Sequence, residues 1–254
     1  MASAYDAGRS LAPGAFDTWA AAVRPFLGAV GQGPILDLGA GTGRFSGHLA
    51  QWAGAAVIAV EPAVAMATRA RAKHLVGVDV VAGAAESIPL CDDAVAAVWM
   101  SQVVHHIDDL ENAAFELRRV LRPGGRLLIR GAFGHNDEIG SCGVDFVLYH
   151  YFPAAGRFAA TFPSRRRVLE AFGSAGFVDE FTTKVAQVTA ASLRELHGRL
   201  STRADSTLAA LDDDTFAEGL EALERDADAG TSPTPVVDHL DFTVLRLPDG
   251  HDHG

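Results

Sequence analysis

The residues Asp37-Leu38-Gly39-Ala40-Gly41-Thr42-Gly43 carry the strongest chemical signal in the chain. Three glycines at alternate positions let a backbone turn sharply and let a ligand approach where a Cβ would intrude. Glu61 follows 18 residues after Gly43, at the end of an apolar run. A carboxylate there can accept hydrogen bonds from both hydroxyls of a ribose. Together these residues describe a nucleotide-type ligand on a strand-turn-helix unit. A dinucleotide fingerprint, G-x-G-x-x-G, would need a third glycine at position 44. Arg44 stands there instead, and it would obstruct the close strand-helix crossing that the third glycine permits. Asp37 has no role in binding a pyrophosphate, whereas a carboxylate near the turn suits a ligand carrying an ammonium group. Farther on, His105 and His106 form a pair of a residue type that titrates near neutrality and so can serve as a general base.

The elements that must position these residues alternate regularly. The short apolar run 34–39 reads as a buried parallel strand and 55–61, 77–83, 94–101 and 126–133 as further strands, with helical runs at 44–52, 63–74 and 109–121 between them. The 109–121 helix turns Leu110, Ala113, Ala114, Leu117, Val120 and Leu121 inward, and Pro123-Gly124-Gly125 is expected to stop it. Residues 14–29 place Phe16, Trp19, Val23, Phe26 and Leu27 at helical spacing, in a helix expected to break near Pro25. Such alternation predicts an α/β fold, a doubly wound and mostly parallel sheet with helices on both faces. Beyond 133 the rhythm changes. Residues 134–162 show no clear periodicity and read as a loop or cap. Residues 164–175 read as a helix capped by Ser164, 177–189 as a strand, 191–229 as two charged helices and 236–247 as a final strand.

Composition narrows the partners. Lys and Arg number 21 against 32 Asp and Glu, a net charge of −11, with no basic tract. Nothing in the sequence supplies the phosphate-neutralising surface that nucleic acid requires. Two cysteines, Cys91 and Cys142, fit neither a disulfide framework nor a four-ligand zinc site, so a reducing cytoplasm is the expected setting and no metal is expected. No run approaches ~18 apolar residues, so no membrane span is expected. The His251-Asp252-His253 tail reads as a chain end rather than a metal site.

At this point the chain resembles the class I, Rossmann-like S-adenosylmethionine-dependent methyltransferase family, of the small-molecule, natural-product type. ILDLGAGTG is similar to the family's first motif and VEP (60–62) to its second-strand acid. AESIPLCDDAVAAVWMSQVVHHIDD (85–109) is similar to the adenine-side loop and fourth strand, and RRVLRPGGRLLI (118–129) to the fifth-strand motif. The resemblance covers about 34–133. It implies a seven-stranded sheet with the last strand antiparallel, and a single domain over 1–254: a helical cover at 1–30, a donor-binding core at 31–133, cap or lid insertions at 134–162 and 190–232, and the rest of the sheet at 163–189 and 233–247. S-adenosylmethionine is the implied cofactor, with S-adenosylhomocysteine as product. Asp37, Gly39, Gly41 and Gly43 are then expected around the methionine portion, Glu61 at the ribose with Pro62 also at the cofactor, and Ala85 and Glu86 beside the adenine, while Met66 either pads the adenine or ribose or fills the core. Ser101 and Gln102 are expected to touch the donor, with Tyr5 and Arg9 closing over it. Many relatives carry Asp just before the Ala-Glu pair; here the residue is Ala84.

Methyl transfer is a displacement at the sulfonium methyl, so alignment and dryness are the main requirements. His105 and His106 are the expected general base or substrate contact, one facing the site while the other packs locally. Tyr149, with His150 and Tyr151, is either an acceptor contact in the cap or a packing residue. The expected function is transfer of a methyl group to an oxygen, nitrogen or carbon nucleophile of a small organic acceptor in secondary metabolism, by a monomer or homodimer. The alternatives are a fold that binds the donor for non-methylating catalysis or partner binding, and an NAD(P)-dependent oxidoreductase, which Arg44 disfavours.

Overall fold

The computed structural model describes residues 11, 12, 14–28, 33–131, 133–134, 147–230 and 235–249. Tyr5, Arg9, Cys142 and the 251–253 tail lie outside them. By chain contacts the protein divides into two units. A sheet unit takes Ala20–Gly131, Pro163–Thr183 and Asp241–Gly254, and a helical unit takes Met1–Trp19, Ala132–Phe162 and Lys184–Leu240.

One seven-stranded sheet runs in the order β3-β2-β1-β4-β5-β7-β6. Its strands are β1 (Ile35–Leu38), β2 (Val57–Glu61), β3 (Val78–Ala82), β4 (Val95–Ser101), β5 (Leu121–Gly131), β6 (Val178–Ala190) and β7 (Val236–Arg246). The pairs β1–β2, β1–β4, β2–β3 and β4–β5 are parallel; β7 runs antiparallel between β5 and β6. This is the expected mostly parallel sheet with an antiparallel last strand. Between β1 and β4 the winding reverses, and such a switch point opens a crevice beyond the carboxyl ends of the two strands. The central strand β4 is apolar on both sides because helices cover both faces: Val95 through Met100 are all buried.

Helices α1 (Ala15–Gly28), α2 (Ser46–Ala53), α3 (Val64–Ala72) and α4 (Leu110–Val120) accompany the first five strands. The six residues assigned to the inner side of α4 are all buried, and Asp109 caps the helix by accepting from the Asn112 N–H at 2.9 Å. Two expectations fail here. Helix α1 continues through Pro25 to Gly28. Pro25 lies on the exposed side and forfeits one backbone bond, while Val23 and Leu27 are buried around it and the Phe26 ring meets Phe181 and Phe242 at 5.3 and 5.8 Å. Nor does Pro123-Gly124-Gly125 stop α4. The helix ends at Leu121, already extended at ψ 131° and paired with Val95, and the Pro-Gly-Gly stretch is a bulge within β5 before pairing resumes at Ala97 and Arg126. Gly124 supplies the left-handed turn at φ +77° and donates its N–H to the Leu247 carbonyl.

Helix α7 (Arg165–Ser174) begins as expected, with Ser164 Oγ accepting from the Arg167 N–H at 3.1 Å. In the helical unit the described residues of the 134–162 segment include two short helices, α5 (Val147–Tyr151) and α6 (Pro153–Ala159). Three helices, rather than two, fill 191–229: α8 (Leu193–Leu200), α9 (Ser206–Ala209) and α10 (Asp213–Ala229). The sequence hid α9 because one turn is too short to show periodicity; its own Asp205 caps it. An apolar core joins Tyr151, Phe152, Leu193, Leu196, Leu208 and Leu223. Gly219 lets α10 approach closely, since a Cβ there would stand 2.4 Å from Phe152 Cδ1 and 2.7 Å from the Tyr151 carbonyl oxygen.

Candidate functional site

The residues singled out in the glycine turn, at Glu61 and around the histidine pair all lie in the sheet unit, at the carboxyl ends of β1, β2 and β4. The turn begins where β1 ends. Gly39 and Ala40 both donate to the Val60 carbonyl, at 2.8 and 3.1 Å, and Gly43 donates to Ala40 at 2.9 Å. Gly39, Gly41 and Gly43 sit at φ +69°, +60° and +75°, a region that costs other L-residues roughly 1–2 kcal/mol. Their spatial demands differ. A Cβ on Gly39 would lie 2.5 Å from Val103 Cγ2 and one on Gly43 3.1 Å from Leu75 Cδ1, whereas one on Gly41 would meet nothing within 4 Å. Gly41 therefore presents bare backbone to open space, the property a closely approaching ligand needs.

Glu61 closes the turn. Its Oε2 accepts from the Gly41 N–H at 2.8 Å and its Oε1 from the Ala63 N–H at 2.9 Å. Each oxygen is thereby fixed in direction and retains accepting capacity for a hydroxyl. Asp37 is only 2% exposed and accepts from Ser46 Oγ at 2.6 Å. Burial pushes its carboxyl up to about 7, the Ser46 hydrogen bond works against that rise, and the charge of Glu61 adds to it. Asp37 is thus an anchor inside the turn rather than an open carboxylate. On the far side, Lys73 Nζ donates to Thr42 Oγ1 at 3.2 Å.

Beyond β2, Pro62 is exposed and Met66 on α3 is half-buried. Residues 84–87 form a tight turn: Ser87 donates its N–H to the Ala84 carbonyl at 3.2 Å, and Ala85 is buried. Glu86 ties this turn to the segment after the histidines, its Oε1 accepting from the Asp108 N–H at 3.2 Å and its carbonyl from Asn112 Nδ2 at 3.1 Å. At the end of β4, Gln102 adopts φ +59° and donates its N–H to the Arg130 carbonyl at 2.7 Å. A non-glycine residue held in the left-handed region at a strand end is costly backbone retained by its surroundings. A turn of 3₁₀ helix then carries Val104–His106. The two imidazole rings lie 4.1 Å apart, with His106 exposed and His105 half-buried. Tyr149 lies in the other unit, on α5, where its Cβ would come within 3.3 Å of a side chain at Gly156 and where it packs against the apolar core.

Several residues of this site went unnoticed in the sequence. Ser46, Phe45 and Val103 act through contacts that spacing does not reveal. Arg130 left a trace, a lone charge in the apolar run Leu127-Leu128-Ile129-Arg130-Gly131. Among the described residues, no group of three or more His, Cys, Asp or Glu is arranged to hold a metal ion, and no helix is long and apolar enough to cross a membrane.

Comparison with known proteins bears on this part of the chain. Residues 36–129 match the family described as a methyltransferase domain. An uncharacterized methyltransferase of Mycobacterium tuberculosis strain H37Rv is 45% identical over 93 residues, 37% of this chain and 37% of that protein. The malonyl-[acyl-carrier protein] O-methyltransferase of Methylococcus capsulatus is 42% identical over 97 residues, 37% of this chain and 35% of the other. The chain thus matches little more than a third of the length of these relatives. A solved protein of Anabaena variabilis, assigned as a methyltransferase from an antibiotic biosynthesis pathway, superposes with a TM-score of 0.70 at 24% identity, over 89% of this chain and 96% of that one.

Proposed function

On the premise that this chain carries a class I, Rossmann-like methyltransferase domain, we propose that it binds S-adenosylmethionine at the 39–43 turn and moves the methyl group to a small organic acceptor. The observation that carries the reading is the bare backbone of Gly41, open to space and fastened to the Glu61 carboxylate. Gly39, Gly41 and Gly43 would hold the methionine portion, with Asp37 stiffening the turn through Ser46. Glu61 would accept from the ribose hydroxyls with the lone pairs its backbone bonds leave. In the place of the missing acid at Ala84, adenine would be met by backbone groups of the 84–87 turn, with Met66 against one ring face. Bound there, S-adenosylmethionine supplies an electrophilic methyl; the chain's part is to orient it, exclude water and manage a proton.

Ser101 and Gln102 would line the donor, and His105 or His106 would take the proton of an oxygen, nitrogen or carbon nucleophile. A positioned base is worth about 10²- to 10⁴-fold. Natural-product metabolism is the setting that fits the acidic, non-basic chain and the resemblance to small-molecule enzymes. Denaturing the purified protein and analysing the supernatant by mass spectrometry tests the donor. Released S-adenosylmethionine or S-adenosylhomocysteine is expected, and NAD(P) would overturn the reading. Incubation with a labelled methyl donor and a panel of phenols, amines and enolisable carbonyl compounds then identifies the acceptor.

A further inference from the structure

Arg130 is 2% exposed, at the carboxyl end of β5. It grips the neighbouring strand twice. Its carbonyl accepts from the Gln102 N–H at 2.7 Å and its Nη1 donates to Ser101 Oγ at 3.0 Å. The guanidinium carbon also lies 5.2 Å from the centroid of the Phe45 ring, the second residue after Gly43 and the N-cap of α2. Phe45 in turn packs on Trp99 at 5.3 Å. One buried side chain therefore connects the end of β4 to the back of the glycine turn.

We propose that Arg130 is a positioning residue of the donor site. It sets the separation between the Ser101–Gln102 strand end and the 39–43 turn, and does so through Ser101 and Phe45 rather than by touching the donor. Guanidinium chemistry suits the task. A rigid plane can lie on an aromatic face while its edge donates to a hydroxyl, and its orientation is preset by the planar fork. Lysine reproduces the charge and the reach to a hydroxyl but has no plane to stack.

The proposal rests on the donor reading, and titration calorimetry with S-adenosylhomocysteine separates the two. If wild type does not bind the probe, the donor reading itself fails. If wild type binds, Arg130→Gln is expected to weaken the probe about tenfold while keeping a cooperative thermal transition, and Arg130→Lys to recover part of that loss. Because Arg130 acts in part through Ser101, the double variant Arg130→Gln/Ser101→Ala is expected to lose less affinity than the product of the two single losses, the non-additivity of coupled residues. A folded Arg130→Gln that binds within twofold of wild type overturns the proposal, as do losses that multiply in the double variant. Should Arg130→Gln fail to fold, Arg130→Lys takes its place in the cycle with Ser101→Ala, and single losses that multiply in that double variant overturn the proposal.

Discussion

The acids of the glycine turn are tethered differently from Asp238 and Trp19 of the helical unit. At the turn the bonds run to near neighbours along the chain: Asp37 takes Ser46, nine residues away, and Glu61 takes Ala63 and Gly41, two and twenty away. In the helical unit these two residues span long stretches. Asp238 accepts from Thr189 Oγ1 at 2.5 Å and from the Val147 N–H at 2.9 Å, 49 and 91 residues off, and Trp19 Nε1 donates to Gln187 across 168. A site built on local strand-turn contacts closes short loops at little entropic cost and should tolerate change elsewhere. The helical unit gains its buried bonds only once distant segments meet. Damage to it should therefore cost stability while leaving donor binding in place, and a side chain on the open face of the turn, at Gly41, should do the reverse.

The largest stability effect is expected at Gly219. Leucine there would drive its Cβ into the Phe152 ring and the Tyr151 carbonyl, and backbone cannot yield as a flexible side-chain tip can. Overpacking of this kind costs about 3 kcal/mol. Thermal unfolding should show a clear fall, while the affinity of the folded protein for S-adenosylhomocysteine stays within about twofold of wild type. Loss of binding in a folded Gly219→Leu protein would show that the units are not energetically separate.

Next is Asp238→Ala, which strands the Val147 N–H and the Thr189 hydroxyl and is expected to cost about 2 kcal/mol. The cost is moderated because burial already pushes the Asp238 carboxyl above the usual carboxylate range, against the hydrogen bonds from Thr189 and Val147 and the nearby charges of Arg199 and His239. Hydrogen exchange should quicken in α5 and leave the amides of β1 unchanged. Equal quickening in β1 would contradict the contrast between local and long-range tethers.

How much of this was readable follows the same division. The strands β1, β2 and β4 and the inner side of α4 showed themselves because a parallel strand covered on both faces must be largely apolar and an amphipathic helix must repeat every 3.6 residues. The glycine turn and Glu61 showed themselves by spacing. Position 25 misled because proline's penalty is local, and the burial of Val23 and Leu27 outweighs it. The Pro123-Gly124-Gly125 stretch misled because a bulge and a helix stop use the same residues. In the helical unit, α5, α6 and α9 span one or two turns, and their places depend on partners such as Asp238 that lie far along the chain. Arg130 and Ser46 are legible only in three dimensions, since each works through a side chain that strand pairing or helix packing brings near.

The pH response of the sheet unit has a source in Asp37. Asp37 titrates near 7 in the folded protein against an ordinary value of 3.8, so its folded pKa is raised. The folded state then holds a proton that the unfolded chain has released, and stability falls as pH rises from about 4 to about 7, by at most about 1.4 kcal/mol per pH unit for one proton. Denaturation midpoints measured at pH 5, 6, 7 and 8 should drop across this range in wild type and flatten in Asp37→Asn. An undiminished slope in the variant would remove Asp37 as its source.

The smallest stability effect, and the sharpest test of the site, belongs to Gly41→Ala. The methyl group meets nothing within 4 Å, so there is no clash to relieve, and only the φ of +60° is paid for, at about 1 kcal/mol. Gly39→Ala suffers the same backbone cost and also the 2.5 Å approach to Val103, so it should be the less stable of the two. Donor affinity should reverse that order. An alanine at 41 projects into the space where the donor is placed, whereas one at 39 projects into the protein. Calorimetry with S-adenosylhomocysteine beside thermal melts of both variants compares the two orders directly. If Gly41→Ala binds as well as wild type, the open space beside that backbone is not where the donor lies.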